Sequence, residues 1–224
     1  MKKNYTKIVF LLDRSGSMRS CASDVIGGYN QYIKTQKDNA VGECSVSLYR
    51  FDDVYEKVYV NVPVNDVSEL RDVDFVPRGN TALLDSVCRM IDDVGIELNN
   101  LHEDERPEKV IVIIYTDGEE NCSSTYTIED VRERIQRQTD VYKWEFVYVG
   151  ANQNSWSVGQ SYGIGGNNTM NYVSRGKNTS ISSDMLWKTL ATKTVSYRSN
   201  SAGDMKFTPA EQQQQNSLVA NNVP

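Results

Sequence analysis

Only one histidine, His102, occurs in the 224 residues of this chain. It lies in Asn99-Asn100-Leu101-His102-Glu103-Asp104-Glu105, which reads as a solvated helix end. That location disfavours Ser/His and Cys/His nucleophile chemistry from the outset. Cysteine is scarce as well. Cys21, Cys44, Cys88 and Cys122 are scattered, without the paired spacing of a zinc site or a disulfide framework. Reduced thiols of this kind suit a cytoplasmic protein. No apolar run approaches membrane-spanning length. Met1-Lys2-Lys3 opens like a signal peptide, but the apolar run that follows is only residues 8–12, too short for the hydrophobic region of a leader. Basic clusters are absent, and 24 Lys and Arg against 30 Asp and Glu leave a net charge of −6. That balance argues against a surface for nucleic-acid phosphates. A Gly-x-x-x-x-Gly-Lys-Ser/Thr loop is also missing, which argues against NTP hydrolysis, and the glycines of residues 159–166 follow no phosphate-binding spacing.

What the chain does have begins at Ile8-Val9-Phe10-Leu11-Leu12-Asp13-Arg14-Ser15-Gly16-Ser17. An unbroken apolar run ending in a carboxylate reads as a strand buried on both faces, the mark of a central parallel strand. Ligands of open α/β sheets bind at the carboxyl ends of such strands. Asp13, Ser15 and Ser17 all offer oxygen, the preference of a hard divalent cation. Two neutral hydroxyls leave such an ion short of negative charge, so a partner is expected to supply the remainder.

Two more runs of this kind follow. Val110-Ile111-Val112-Ile113-Ile114-Tyr115 ends in Thr116-Asp117-Gly118, and residues 144–149 end in Gly150-Ala151-Asn152. Between them, helical periodicity is carried by Ile26, Tyr29 and Ile33, by Leu84 to Leu101, and by Ile128, Val131 and Ile135. Gly27-Gly28 within the first stripe suggests close packing against the sheet. Alternation at Cys44, Val46, Leu48 and again at Val58, Val60, Val62 predicts a hairpin with one exposed face at the sheet edge, turning at Asp52-Asp53. A short helix over 156–162, a weak strand over 170–173 and a helix over 183–198 complete the pattern. The fold class expected is a doubly wound α/β domain, with a mostly parallel central sheet, one antiparallel edge strand and helices on both faces. The domain is expected to span residues 1–199. Residues 200–224, polar and glutamine-rich, are expected to be a flexible tail.

Asp13-Arg14-Ser15-Gly16-Ser17, Gly79-Asn80-Thr81 and Thr116-Asp117-Gly118 occur in that order, each at a strand or helix end. Together they resemble the metal-ion-dependent adhesion site (MIDAS) of von Willebrand factor A-type (vWA) domains. The resemblance covers residues 6–198. Ile26-Gly27-Gly28-Tyr29-Asn30, Thr116-Asp117-Gly118-Glu119-Glu120-Asn121 and Trp144-Glu145-Phe146-Val147-Tyr148-Val149 are similar to stretches of compact intracellular members from bacteria and phages. The resemblance implies that Ser15 and Ser17 bind a cation directly and that Asp13 and Asp117 act mainly through water. It implies that Thr81 binds either directly or through water, in a loop that can rearrange. Mg2+ is the implied cofactor, with Mn2+ or Ca2+ as substitutes, and a protein partner supplies a carboxylate.

The function expected is therefore cation-dependent protein binding, by a non-enzyme, with no nucleic-acid or membrane partner. The alternatives are a metal-dependent hydrolase and a phage structural or accessory protein using the fold as scaffold. Against a haloacid dehalogenase-type phosphatase, Ser15 stands where that chemistry needs a second aspartate as general acid. Plainer roles accompany each motif: Ser15-Gly16-Ser17 as a turn and helix cap, Asp117-Gly118 as a strand-end turn, Glu119 and Glu120 as solvated side chains, and Cys21 and Cys122 as small packed residues. Arg14 and Arg19 would steer an acidic partner or simply add solubility.

Overall fold

A computed structural model of the chain describes residues 1–39, 41–151, 155–199 and 203–221. Six strands form one sheet: β1 (Lys2–Asp13), β2 (Glu43–Phe51), β3 (Tyr55–Pro63), β4 (Pro107–Thr116), β5 (Glu145–Ala151) and β6 (Thr169–Tyr172). They lie in the order β3-β2-β1-β4-β5-β6. Among the described residues only the β2–β3 pair is antiparallel. Among the described residues six α-helices accompany them: α1 (Ala22–Asp38), α2 (Leu83–Asn99), α3 (Ile128–Tyr142), α4 (Ser155–Ser161), α5 (Thr179–Arg198) and α6 (Pro209–Ala220).

Strand period explains the unbroken apolar runs, because successive side chains of a strand point to opposite faces. Ile8, Phe10 and Leu12 enter one core with residues of α1 and α5, while Val9 and Leu11 enter the other with residues of α2 and α3. β4 divides likewise, Ile111, Ile113 and Tyr115 against Val112 and Ile114. The sheet is thus covered on both sides, and order reverses beside β1, where the chain crosses from the β2 side to the β4 side. The carboxyl ends of β1 and β4 meet at that switch point, the usual position of a site in an open α/β sheet.

Three expectations are revised. β2 is buried nearly along its whole length because it lies inside the sheet, and only β3 has the half-exposed pattern of an edge. Gly28 packs against α5 and not the sheet: a methyl there would stand 1.9 Å from Trp187 Cδ1, whereas one on Gly27 would meet nothing within 4 Å.

The third concerns the polar segment expected to be a flexible tail, 200–224. Of it, residues 200–202 and 222–224 lie outside the described residues, but α6 is an ordered helix with Pro209 in its first turn and a reciprocal Thr208–Glu211 cap. Its docking is largely polar. Gln215 is buried and donates to Ser182 O and Oγ at 2.9 and 2.6 Å. Gln212 donates to Gly166 O and Thr169 O at 2.8 and 2.9 Å, and Asn171 on β6 donates to Asn216 Oδ1 at 2.9 Å. Met205 and Phe207 ahead of the helix are buried in the α1/α5 core. Satisfied side-chain amides can order a segment that has too little apolar surface to do so alone.

Candidate functional site

β1 delivers Asp13 to the switch point with no exposed surface. Its carboxylate closes the turn that follows by accepting the Ser15 N–H at 2.6 Å on Oδ1. Oδ2 accepts the Thr116 hydroxyl at 2.5 Å. Register accounts for the second bond, since Leu12 pairs with Tyr115 and Asp13 therefore lies beside Thr116. Burial pushes the Asp13 carboxyl up to about 6, the Thr116 and Ser15 bonds offsetting only part of that effect and neighbouring Asp117 adding to it.

Past Asp13, Ser15 caps a short 3-10 turn, Gly16–Ser20, that leads into α1. The turn brings Ser15 Oγ and Ser17 Oγ within 3.0 Å, and Ser17 Oγ donates to Asp117 Oδ1 at 2.6 Å. Burial raises Asp117 as well, opposed by the Ser17 hydroxyl and by the positive charge of Arg175 in the loop after β6. Thr81 is buried on the turn before α2. Gly118 records how closely the loops approach one another. A methyl carbon built there would lie 2.9 Å from Thr81 Oγ1, 3.4 Å from Ser17 Oγ and 3.5 Å from Asp13 Oδ2. Oxygens from the loops after β1, before α2 and after β4 therefore surround one small space that this glycine keeps open. Asp13, Ser15, Ser17, Thr81 and Asp117, remote in sequence, form one cluster.

Two residues outside that set help to build it. Thr116 orients Asp13, and its signal was its place immediately before Asp117 at the end of β4. The Glu120 carboxylate ties its own loop to the start of α2: Oε2 accepts the Leu84 N–H at 2.9 Å, and Oε1 accepts those of Cys122 and Ser123 at 2.9 and 2.6 Å. Arg14 turns inward, pairing with Asp52 at 2.8 Å and Glu56 at 3.0 Å, so it braces the β2–β3 turn and does not face a partner. Arg19 is exposed. Cys21 is buried beside Tyr172, and Cys122 lies at the rim beside Asp53. Among the described residues no three His, Cys, Asp or Glu side chains group as a metal cluster.

Neither a protein-family model nor a curated protein matches the sequence. Solved structures do match the fold. Proximal thread matrix protein 1 from the mussel byssus superposes with a TM-score of 0.56 at 12% identity, over 82% of this chain and 46% of that one. Another structure of the same protein, with a zinc-occupied MIDAS motif, gives 0.55 at 13% identity over the same shares. The PilB minor pilin of Streptococcus sanguinis gives 0.60 at 11% identity, over 89% of this chain and 63% of that one. The fold is that of a vWA domain. The chain spans less than two thirds of the length of each of these neighbours. Its oxygen cluster occupies the carboxyl end of the sheet, and no helix among the described residues is long and apolar enough to cross a membrane.

Proposed function

We propose that the chain is a divalent-cation-dependent protein-binding module whose MIDAS takes an acidic side chain from its partner. The observation that carries this reading is the convergence of Thr81 Oγ1, Ser17 Oγ and Asp13 Oδ2 on the space at Gly118, with Ser15 and Asp117 joined to Ser17 by hydrogen bonds. The donor set fits magnesium. Ser15 Oγ and Ser17 Oγ stand 3.0 Å apart, the separation of neighbouring oxygens on an octahedron with bonds of about 2.0–2.1 Å. Ser15, Ser17 and Thr81 would hold the ion directly, with Asp13 and Asp117 supplying charge through water. When bound, the cation would supply a Lewis-acidic position for a carboxylate. Two carboxylates among five donors leave room for a third negative charge, and the exposed Arg175, which already acts on Asp117, adds positive potential beside it. Mg2+ is the favoured ion, with Mn2+ or Ca2+ as substitutes. The zinc-occupied MIDAS of the mussel protein supports a cation at this place in the fold.

The reading is of a binding protein and not an enzyme. Residue 15 is a serine where phosphoryl transfer would want an acid, and His102 lies beyond the far end of α2, beside the amino end of the sheet. The length of β1, about 36 Å, separates that end from the cluster. Four free cysteines, three of them buried, support a cytoplasmic location. The test is a titration of the purified chain with Mn2+ or Mg2+, which should show one saturable site that is lost in the Ser15→Ala, Ser17→Ala double variant. Unaltered binding in that variant would refute the site. A pull-down with and without EDTA then tests metal dependence of the partner, and phosphatase or nuclease turnover abolished by Asp13→Ala would overturn the binding reading.

A further inference from the structure

The turn that carries Thr81 is tied at every residue, to several different neighbours. Arg78 N–H donates to Arg14 O at 2.9 Å, and Gly79 O accepts the Gly16 N–H at 3.1 Å. Asn80 N–H donates to Asp53 Oδ1 at 3.1 Å. Thr81 N–H donates to Asn121 Oδ1 at 2.9 Å, and Asn121 N–H returns a bond to Thr81 O at 3.1 Å. Ala82 N–H donates to Asp52 O at 3.2 Å. Gly79 has φ +66°, and a side chain there would collide with Asp53 Oδ2, so the turn also sits tightly on the β2–β3 loop.

The same interlock continues into α2, whose first amides lack intrahelical acceptors. Leu84 N–H donates to Glu120 Oε2 at 2.9 Å and Asp85 N–H to Ser123 Oγ at 3.1 Å. In the reverse direction the Asp85 carboxylate accepts the N–H groups of Ser124, Thr125 and Tyr126 at 3.3, 3.0 and 2.9 Å. Each loop thus caps the other.

We infer that Asn121 and Glu120 are positioning residues that hold Thr81 in its ligand-ready place before a cation arrives, so that the Thr81 turn and the Asp117 loop behave as one block. This rests on the metal site proposed above and replaces, for this chain, the rearranging Thr81 loop implied by the resemblance. Swinging Thr81 away would break several backbone bonds together. At roughly fivefold each in an equilibrium, five such bonds hold the swung-out form below about one molecule in a thousand. Asn121 Oδ1 is engaged by the Thr81 N–H. Its carbonyl oxygen acts through the Thr81 amide.

The test combines Mn2+ titration with amide hydrogen exchange on the full chain. In the wild type, the Thr81 and Leu84 amides should exchange slowly without metal and change little when Mn2+ is added. Asn121→Ala should speed Thr81 exchange and weaken Mn2+ binding, each by about tenfold, while amides of β1 and β4 keep their protection. Asn121→Asp retains the acceptor and should restore both. Fast Thr81 exchange that slows only with Mn2+ would reveal a switching loop and overturn the inference. Wild-type Mn2+ affinity in Asn121→Ala would also overturn it, as would loss of protection throughout the sheet, which marks a purely structural role. If instead the Ser15→Ala, Ser17→Ala variant retains Mn2+ binding, the site itself fails and this inference fails with it.

Discussion

Gly118→Ala puts one carbon into the space on which the candidate ligands converge. The substitution is conformationally mild, because Gly118 is not among the glycines with positive φ. The new methyl would lie 2.9 Å from Thr81 Oγ1, closer than such contacts normally come, and 3.4 Å from Ser17 Oγ. Neither oxygen has an easy retreat, Thr81 being held by Asn121 and Ser17 by Asp117. In the metal-free chain the crowding is one contact at the rim of a polar cluster, and the expected loss of stability is about 1 kcal/mol, the low end for overpacking. With a cation bound, the methyl competes for volume with the ion and its water. Overpacking of a filled site costs about 1–3 kcal/mol, which corresponds to about 5- to 150-fold weaker binding. Calorimetric Mn2+ titration of the two proteins reads that ratio, and urea unfolding reads the stability. Wild-type Mn2+ affinity in a folded Gly118→Ala protein would refute the placement of the ion among these oxygens.

Neighbouring glycines of α1 should respond with opposite sign. Gly27→Ala, exposed and meeting nothing, should stabilise by about 0.5–1 kcal/mol through helix propensity. Gly28→Ala drives a methyl into Trp187, itself packed against Phe10, Tyr29, Tyr32 and Tyr115, and should destabilise by about 2 kcal/mol in urea unfolding. Burial alone would raise the Asp85 carboxyl, but the N–H groups of Tyr126, Thr125 and Ser124 carry it below its ordinary 3.8. A depressed folded value gives stability that is complete above the unfolded value and is lost as pH falls through the folded one. Asp85→Asn should therefore be less stable than wild type by about 1.5–3 kcal/mol at pH 7, and the gap should close on acidification below pH 3.8; a gap independent of pH would count against the clamp. Gln215→Leu leaves Ser182 O without its α6 donor and should lower stability by about 1–2 kcal/mol, read from the urea midpoint.

The parts of this molecule that were legible in the sequence share one physical cause. Strands buried on both faces must be apolar at every position, so Ile8-Val9-Phe10-Leu11-Leu12 and Val110-Ile111-Val112-Ile113-Ile114 announced the sheet, and the polar residues that stop them announced its carboxyl end. Asp13 and Asp117 could be located for that reason. Parts that depend on polar contacts between remote segments left no such trace. Glu120 looks solvated until Leu84, 36 positions earlier, is brought to it. Arg14 looks like a surface charge until Asp52 and Glu56 are folded over it. Hydropathy marks Gln212 and Gln215 as tail, because it has no way to register that their amides find carbonyl acceptors.

Those glutamines also help to cover one margin of the sheet. β6 is the last strand on its side of the sheet, and Gln212 and Asn216 of α6 engage Thr169 O and the Asn171 side chain along it. Side-chain amides thus do part of the work of a seventh strand, on a helix that cannot itself propagate a sheet. The opposite margin, β3, is guarded by backbone irregularity, with a left-handed Asn61 and two slips in register. Both margins are thereby closed to strand-to-strand polymerisation. A chain cut before Pro209 should keep its oxygen cluster and yet self-associate through β6.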